Sequence, residues 1–62
     1  MSIGTWVAIK TRDRLGTWWW NGKNFVMDET ERIEYQDPAM AIPDFKAAMK
    51  AVTPNSVEMI HI

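Results

Sequence analysis

The run Trp18-Trp19-Trp20 followed at once by Asn21-Gly22 constrains this chain more than any other stretch. A two-residue Asn-Gly loop between apolar runs is the strongest short-range signal for a β-hairpin. It predicts strands over 17–21 and 23–27, with Trp20 opposite Lys23, Trp19 opposite Asn24, Trp18 opposite Phe25 and Thr17 opposite Val26. Residues directly opposite one another share a face of the sheet. One face then carries Trp18, Trp20, Phe25, Met27 and the stem of Lys23, and the other carries Thr17, Trp19, Asn24 and Val26. The first is far more apolar and is expected to meet the core, which sends the middle indole, Trp19, to the opposite side.

The rest of the chain supplies further strands and one helix. Residues 3–11 alternate in the period of a strand, with Ile3, Thr5, Val7 and Ile9 on one side and Gly4, Trp6, Ala8 and Lys10 on the other. Either Val7 and Ile9 or Trp6 and Ala8 face the core. Residues 12–16 form a polar connection ending in Gly16, suited to a hairpin loop. After a charged connection over 28–31, residues 32–36 alternate again. Their charges suit an edge position, where they discourage unwanted pairing. Asp37-Pro38 has the form of a helix start, yet Pro43 inside such a helix would cost about 3 kcal/mol, and Ile42 before it is pushed from the α region. The main helix is therefore expected at 43–52, preceded by a loop or a single turn over 38–42, with Pro43 as its first residue, Phe45, Ala48, Met49 and Val52 as its buried stripe, Lys46 and Lys50 outward, and Thr53-Pro54-Asn55 ending it. Residues 57–62 return as a final strand. The expected fold is α+β: an antiparallel sheet of three to five strands in the order β-β-β-(β)-α-β, with one short helix on one face, spanning residues 1–62 as a single small domain.

Composition narrows how such a domain is stabilised. At 62 residues the chain buries a small fraction of its surface, and a core of this size rarely supplies more than about 3–5 kcal/mol. There is no Cys, and the one His is His61, so disulfides, thiolate metal sites and imidazole clusters are excluded. Four Trp, two Phe and one Tyr point to a dense aromatic core, to self-association, or to both. No apolar run approaches the ~20 residues of a membrane span, and no signal peptide is expected at the N-terminus. The chain reads as complete, cytoplasmic and soluble. Residues 1–27 set Lys10, Arg12, Arg14 and Lys23 against Asp13 alone, whereas 28–62 set three cations against seven carboxylates. A dipolar molecule is expected, with a basic hairpin and an acidic remainder.

One helix covers one face of a sheet, so the other face stays bare unless a partner covers it. The candidate partner-binding residues are Trp19, Val26 and Trp6, since Trp and Arg dominate the energetic centres of interfaces. The favoured partner is protein, either a second copy in a homodimer or a different chain. The alternative is single-stranded nucleic acid held by Lys10, Arg12, Arg14 and Lys23 with Trp19 as a stacking platform, although four cations on a chain of net charge −1 fall short of a basic domain. The acidic run from Asp28 to Asp37 lacks an EF-hand pattern: Thr30 and Arg32 break the ligand spacing, and Ile33 stands where glycine is needed. No metal site or cofactor is expected. A nucleophile needs an activating base, and His61 lies in a strand pattern without a companion. No catalytic residue, small-molecule substrate or enzymatic activity is expected.

Trp18-Trp-Trp-Asn-Gly-Lys-Asn-Phe25, Phe45-Lys-Ala-Ala-Met49 and Val57-Glu-Met-Ile60 give residues 5–62 a layout that resembles small orphan proteins of phages, prophages and bacterial mobile elements. The resemblance carries no diagnostic motif and transfers no functional residue. It implies a host-modulating or accessory protein that acts by binding.

Overall fold

The computed structural model describes residues 6–52 and 56–62. The start of the first expected strand and the expected helix stop at Thr53-Pro54-Asn55 lie outside them. The fold is α+β. Strands β1 (Val7–Asp13), β2 (Gly16–Trp20) and β3 (Phe25–Val26) are followed by a 3-10 turn (Glu29–Glu31), helix α1 (Pro38–Ala51) and strand β4 (Val57–His61). The sheet is antiparallel with order β3-β2-β1-β4, which places the first and last strands side by side.

The β1–β2 hairpin is tighter than expected. Asp13 pairs with Gly16 around a two-residue loop, Arg14-Leu15. Gly16 takes a φ of 135°, and Asp13 Oδ1 accepts the Leu15 N–H at 2.8 Å and the Trp18 indole N–H at 3.0 Å. Those two donors, the indole foremost, hold the Asp13 carboxyl below the usual range.

The second hairpin turns one residue later than its sequence suggests. Trp20 pairs with Phe25 and Trp19 with Val26, so the tightest part of the loop is Gly22-Lys23. Asn21 closes it by using its side chain as well as its backbone: the Asn21 N–H donates to the Asn24 carbonyl at 2.9 Å, while Asn21 Oδ1 accepts from the Lys23 and Asn24 N–H groups. Gly22 sits at φ 103°, and a Cβ there would lie 2.6 Å from Ile33 Cδ1. The register differs from the expected one by an even number of residues, so no side chain changes face. Trp19 and Val26 still lie on one side and Trp20 and Phe25 on the other. Met27, expected to point into the core, is exposed beyond the two-residue β3.

After Trp20, β2 leaves β1 and residues 33–35 take over its track. The Ile33 N–H donates to the Trp20 carbonyl at 3.0 Å, and Tyr35 exchanges two bonds with Val7 at 2.8 and 2.9 Å. This segment is an extended stretch held by a single bridge, not a full strand, and Tyr35 is buried against the central strand.

α1 begins at Pro38, five residues earlier than expected, and Pro43 lies inside it. The missing Pro43 N–H forfeits a bond to the Ala39 carbonyl, but both residues are exposed, so water can serve that carbonyl. Three gains offset the loss. Asp37 Oδ1 accepts the Ala39 N–H at 2.7 Å, Pro38 fits the first turn, and Ala41 is fully buried. Ala41 extends the expected stripe, in which Ala48 is buried and Phe45, Met49 and Val52 pack against the core.

The core is Val7, Ile9, Trp20, Tyr35, Ala41, Ala48 and Val57. Val7 and Ile9 therefore face the helix. Trp20 meets Phe25 edge-on at 5.1 Å between ring centroids, and among the described residues its Nε1 is the buried side-chain polar atom with no hydrogen-bond partner. Trp18, expected beside it in the core, is half-buried at the end of the sheet where Asp13 holds its indole.

Replacing Pro43 with Ala is expected to stabilise the protein by about 1–2 kcal/mol. The restored helix bond and propensity exceed the smaller gain Pro makes by restricting the unfolded chain. Urea unfolding of the two forms measures the difference, and an unchanged or lower midpoint in the variant would contradict the account of Pro43.

Candidate functional site: the open face of the sheet

The face turned away from α1 is assembled by register. Lys10 pairs with Trp19 and Trp19 with Val26, while on the other side Ala8 pairs with Ile60 and Lys10 with Glu58. Trp6 precedes Ala8 by two residues, and its carbonyl accepts the Ile62 N–H at 3.0 Å. The three expected partner-binding residues, Trp19, Val26 and Trp6, thus lie on one face, joined by Ile60 and Ile62. Trp6 is 42% exposed and Ile62 45%, whereas Ala8 between its larger neighbours is fully buried.

Trp19 is not bare. The Arg32 guanidinium lies over its ring, with Cζ 4.6 Å from the centroid. Glu29 at 2.7 Å and Glu34 at 3.0 Å hold that guanidinium from two sides, and the Arg32 side chain is only 14% exposed. The turn between them is built locally. Asp28 Oδ1 accepts the N–H and hydroxyl of Thr30, which lowers the Asp28 pKa and caps the 3-10 turn, and the Arg32 N–H returns to the Glu29 carbonyl. Sequence reading missed this clamp. The signal present was Glu29, Arg32 and Glu34 at spacings of three and two, but nothing local places Trp19 beneath them.

The four cations of the nucleic-acid alternative are not brought together. Lys10 and Arg12 lie on the open face beside Trp19 and Thr17. Arg14 stands in the β1–β2 loop and Lys23 in the β2–β3 loop, at opposite ends of β2, a strand of five residues and so about 17 Å long. Nor is the acidic part of the chain wholly set apart from the basic part, since Glu58 stands opposite Lys10 in the β1–β4 register.

Surface hollows lie among the described residues. One of about 320 Å³ lies on the open face between Trp6, Arg32, Glu34 and Ile62. Others of about 430 and 500 Å³ flank the β1–β2 loop, at Asp13-Arg14-Leu15 and between Arg12, Val52 and Ser56. The last of these is lined by Thr11 and Asp13 as well, and the Thr11 hydroxyl donates to the Ser56 carbonyl at 2.9 Å. Among the described residues no cluster of three or more His, Asp or Glu side chains could hold a metal ion, and no helix is long and apolar enough to cross a membrane. His61 is exposed near the end of β4.

On the helix side, the Tyr35 hydroxyl donates to Asp44 Oδ2 at 2.5 Å, tying the strand-like segment to α1. Burial first, then the bond to that carboxylate and its charge, push the phenol well above its usual pKa of about 10.

Tyr35 is the one tyrosine, so near-ultraviolet absorbance reads its ionisation alone. The folded protein should show no phenolate at pH 10. Because the pKa is higher in the folded state, the stabilisation is complete below about pH 10 and declines as pH rises above it. Phenolate appearing at its usual pH while the fold is intact would refute the assignment. Removing the clamp by Arg32→Ala should cost roughly 1–2 kcal/mol from lost cation–π and partly buried ion-pair contacts, and should red-shift tryptophan emission by wetting Trp19. Unchanged emission would show that Arg32 does not shield the ring. No protein-family model, curated protein or solved structure matches the chain, so the reading of this face rests on its own chemistry.

Proposed function

We propose that this chain is a small non-enzymatic binding protein that engages another protein through the open, aromatic face of its sheet. The observation that carries this reading is the convergence of Trp6, Trp19 and Val26 with Ile60 and Ile62 on the face opposite α1. A monomeric domain gains nothing in its own core from Trp6 and Ile62 held nearly half exposed, whereas interfaces centre on tryptophan and arginine in partly desolvated settings. The clamp supports the same reading. Arg32 and its two carboxylates hold Trp19 in one orientation before any partner arrives, which lowers the ordering cost of binding. The partner is a second copy or a different protein, consistent with an accessory role.

Single-stranded nucleic acid fits this arrangement less well. Its track needs cations that follow a backbone, and here Arg14 and Lys23 point to opposite ends of β2 while Arg32 is already partnered.

The test is Trp19→Ser. Binding of a partner protein to the immobilised chain should weaken at least tenfold, while the urea midpoint falls by no more than the loss of one stacked cation implies. Equal capture by parent and variant would refute the reading. Quenching of tryptophan emission by single-stranded DNA or RNA, relieved steeply by salt, would replace it with the nucleic-acid alternative.

A further inference from the structure

The two edges of the sheet are unlike. One is β3, two residues long; the other is β4, five residues long. The direction of the β4 backbone groups follows from a single bond. Ile62 donates its N–H to the Trp6 carbonyl, and an antiparallel ladder alternates hydrogen-bonded with non-hydrogen-bonded pairs. Residues 58, 60 and 62 therefore direct their backbone groups to β1, and Val57, Met59 and His61 direct theirs outward. Among the described residues no strand pairs with that outer side. Protein edges are commonly blunted by brevity, Lys, Pro, a bulge or an unpaired charge. β3 is blunted by brevity. β4, Val-Glu-Met-Ile-His, has no Lys or Pro, and its one carboxylate, Glu58, faces Lys10 across the ladder.

We infer that β4 is a pairing edge and that its occupant is β4 of a second copy of this chain, antiparallel, across a two-fold axis at Met59. Outward-facing residues must meet outward-facing residues, so the self-pairings with substantial overlap centre on Glu58, Met59 or Ile60. Centring on Glu58 sets two carboxylates directly opposite, which is destabilising. Centring on Ile60 leaves Val57 without a strand partner. Centring on Met59 engages all five residues: Met59 meets Met59 of the partner subunit, Val57 meets His61 of the partner subunit, and Glu58 meets Ile60 of the partner subunit. No like charges oppose, and the two Ile60 side chains become diagonal neighbours on the open side. The sheet becomes continuous across the axis with both helices on one side. This inference goes beyond the open-face reading and does not depend on it, because the contact is made by backbone at the rim and leaves Trp19 accessible. Two five-residue strands bury less than the ~1,200 Å² of a standard interface, so reversible association in the micromolar range or weaker is expected.

The experiment combines sedimentation with amide hydrogen exchange by NMR at low and high protein concentration. Expected are a monomer–dimer equilibrium and protection of the Val57, Met59 and His61 amides that rises with concentration, while the Glu58 and Ile60 amides stay protected throughout. His61→Pro removes one outward N–H, touches no β1 bond and alters an exposed side chain, and should raise the dimer dissociation constant at least tenfold. If that variant fails to fold, the amides of the parent chain decide alone. A dimer whose three outward amides stay unprotected, with shifts at the Trp19 indole instead, overturns the edge pairing and leaves the open-face reading standing. A strict monomer at millimolar concentration also overturns it, without bearing on Trp19-dependent binding of a different protein.

Discussion

β1 is bonded along both sides, and the fold depends on that double engagement. On one side it pairs with β2 and then, where β2 departs, with Tyr35; on the other it pairs with β4. Because strand side chains alternate, its two faces acquire opposite environments. Val7 and Ile9 lie under α1 among Trp20, Tyr35, Ala41, Ala48 and Val57, while Ala8 and Lys10 lie among Trp19, Glu58 and Ile60. A chain of this length has one helix to spend, and placing it over Val7 and Ile9 determines which aromatic residues remain outside.

Much of this was legible in the sequence, and the reasons differ by feature. The assignment of Trp19 and Val26 to one face and Trp20 and Phe25 to the other survived a misplaced turn, since side-chain direction repeats every two residues and the slip was even. The turn itself was misplaced because Asn21 acts as a side-chain acceptor for two N–H groups, a role that the Asn-Gly pair does not advertise. The helix start is legible in Asp37-Pro38, but the intrinsic cost of Pro43 argues locally against it. Tertiary burial of Ala41 and a well-formed Asp37 cap outweigh one lost bond at an exposed turn.

What stayed hidden depends on contacts between distant segments. The Arg32 clamp needs the 3-10 turn to fold back over Trp19, and the Tyr35–Asp44 bond needs the strand-like segment to lie against the first half of α1. Strand order was hidden for the same reason: β1 and β4 pair across nearly the whole chain, and neither strand carries a local sign of the other. The candidate face is thus half legible. Its rings follow from local periodicity, while the residues that orient the central ring do not.

The clamp has a consequence for how a partner would be met. Two carboxylates already surround the guanidinium over Trp19, and Glu58 sits across from Lys10, so the ions of this surface are largely matched within the molecule. Such a surface projects little long-range field to draw a partner in or to turn one away. A partner of the proposed kind would meet it near the unassisted diffusional rate, and the lifetime of the complex, rather than the speed of its formation, would be where this face discriminates.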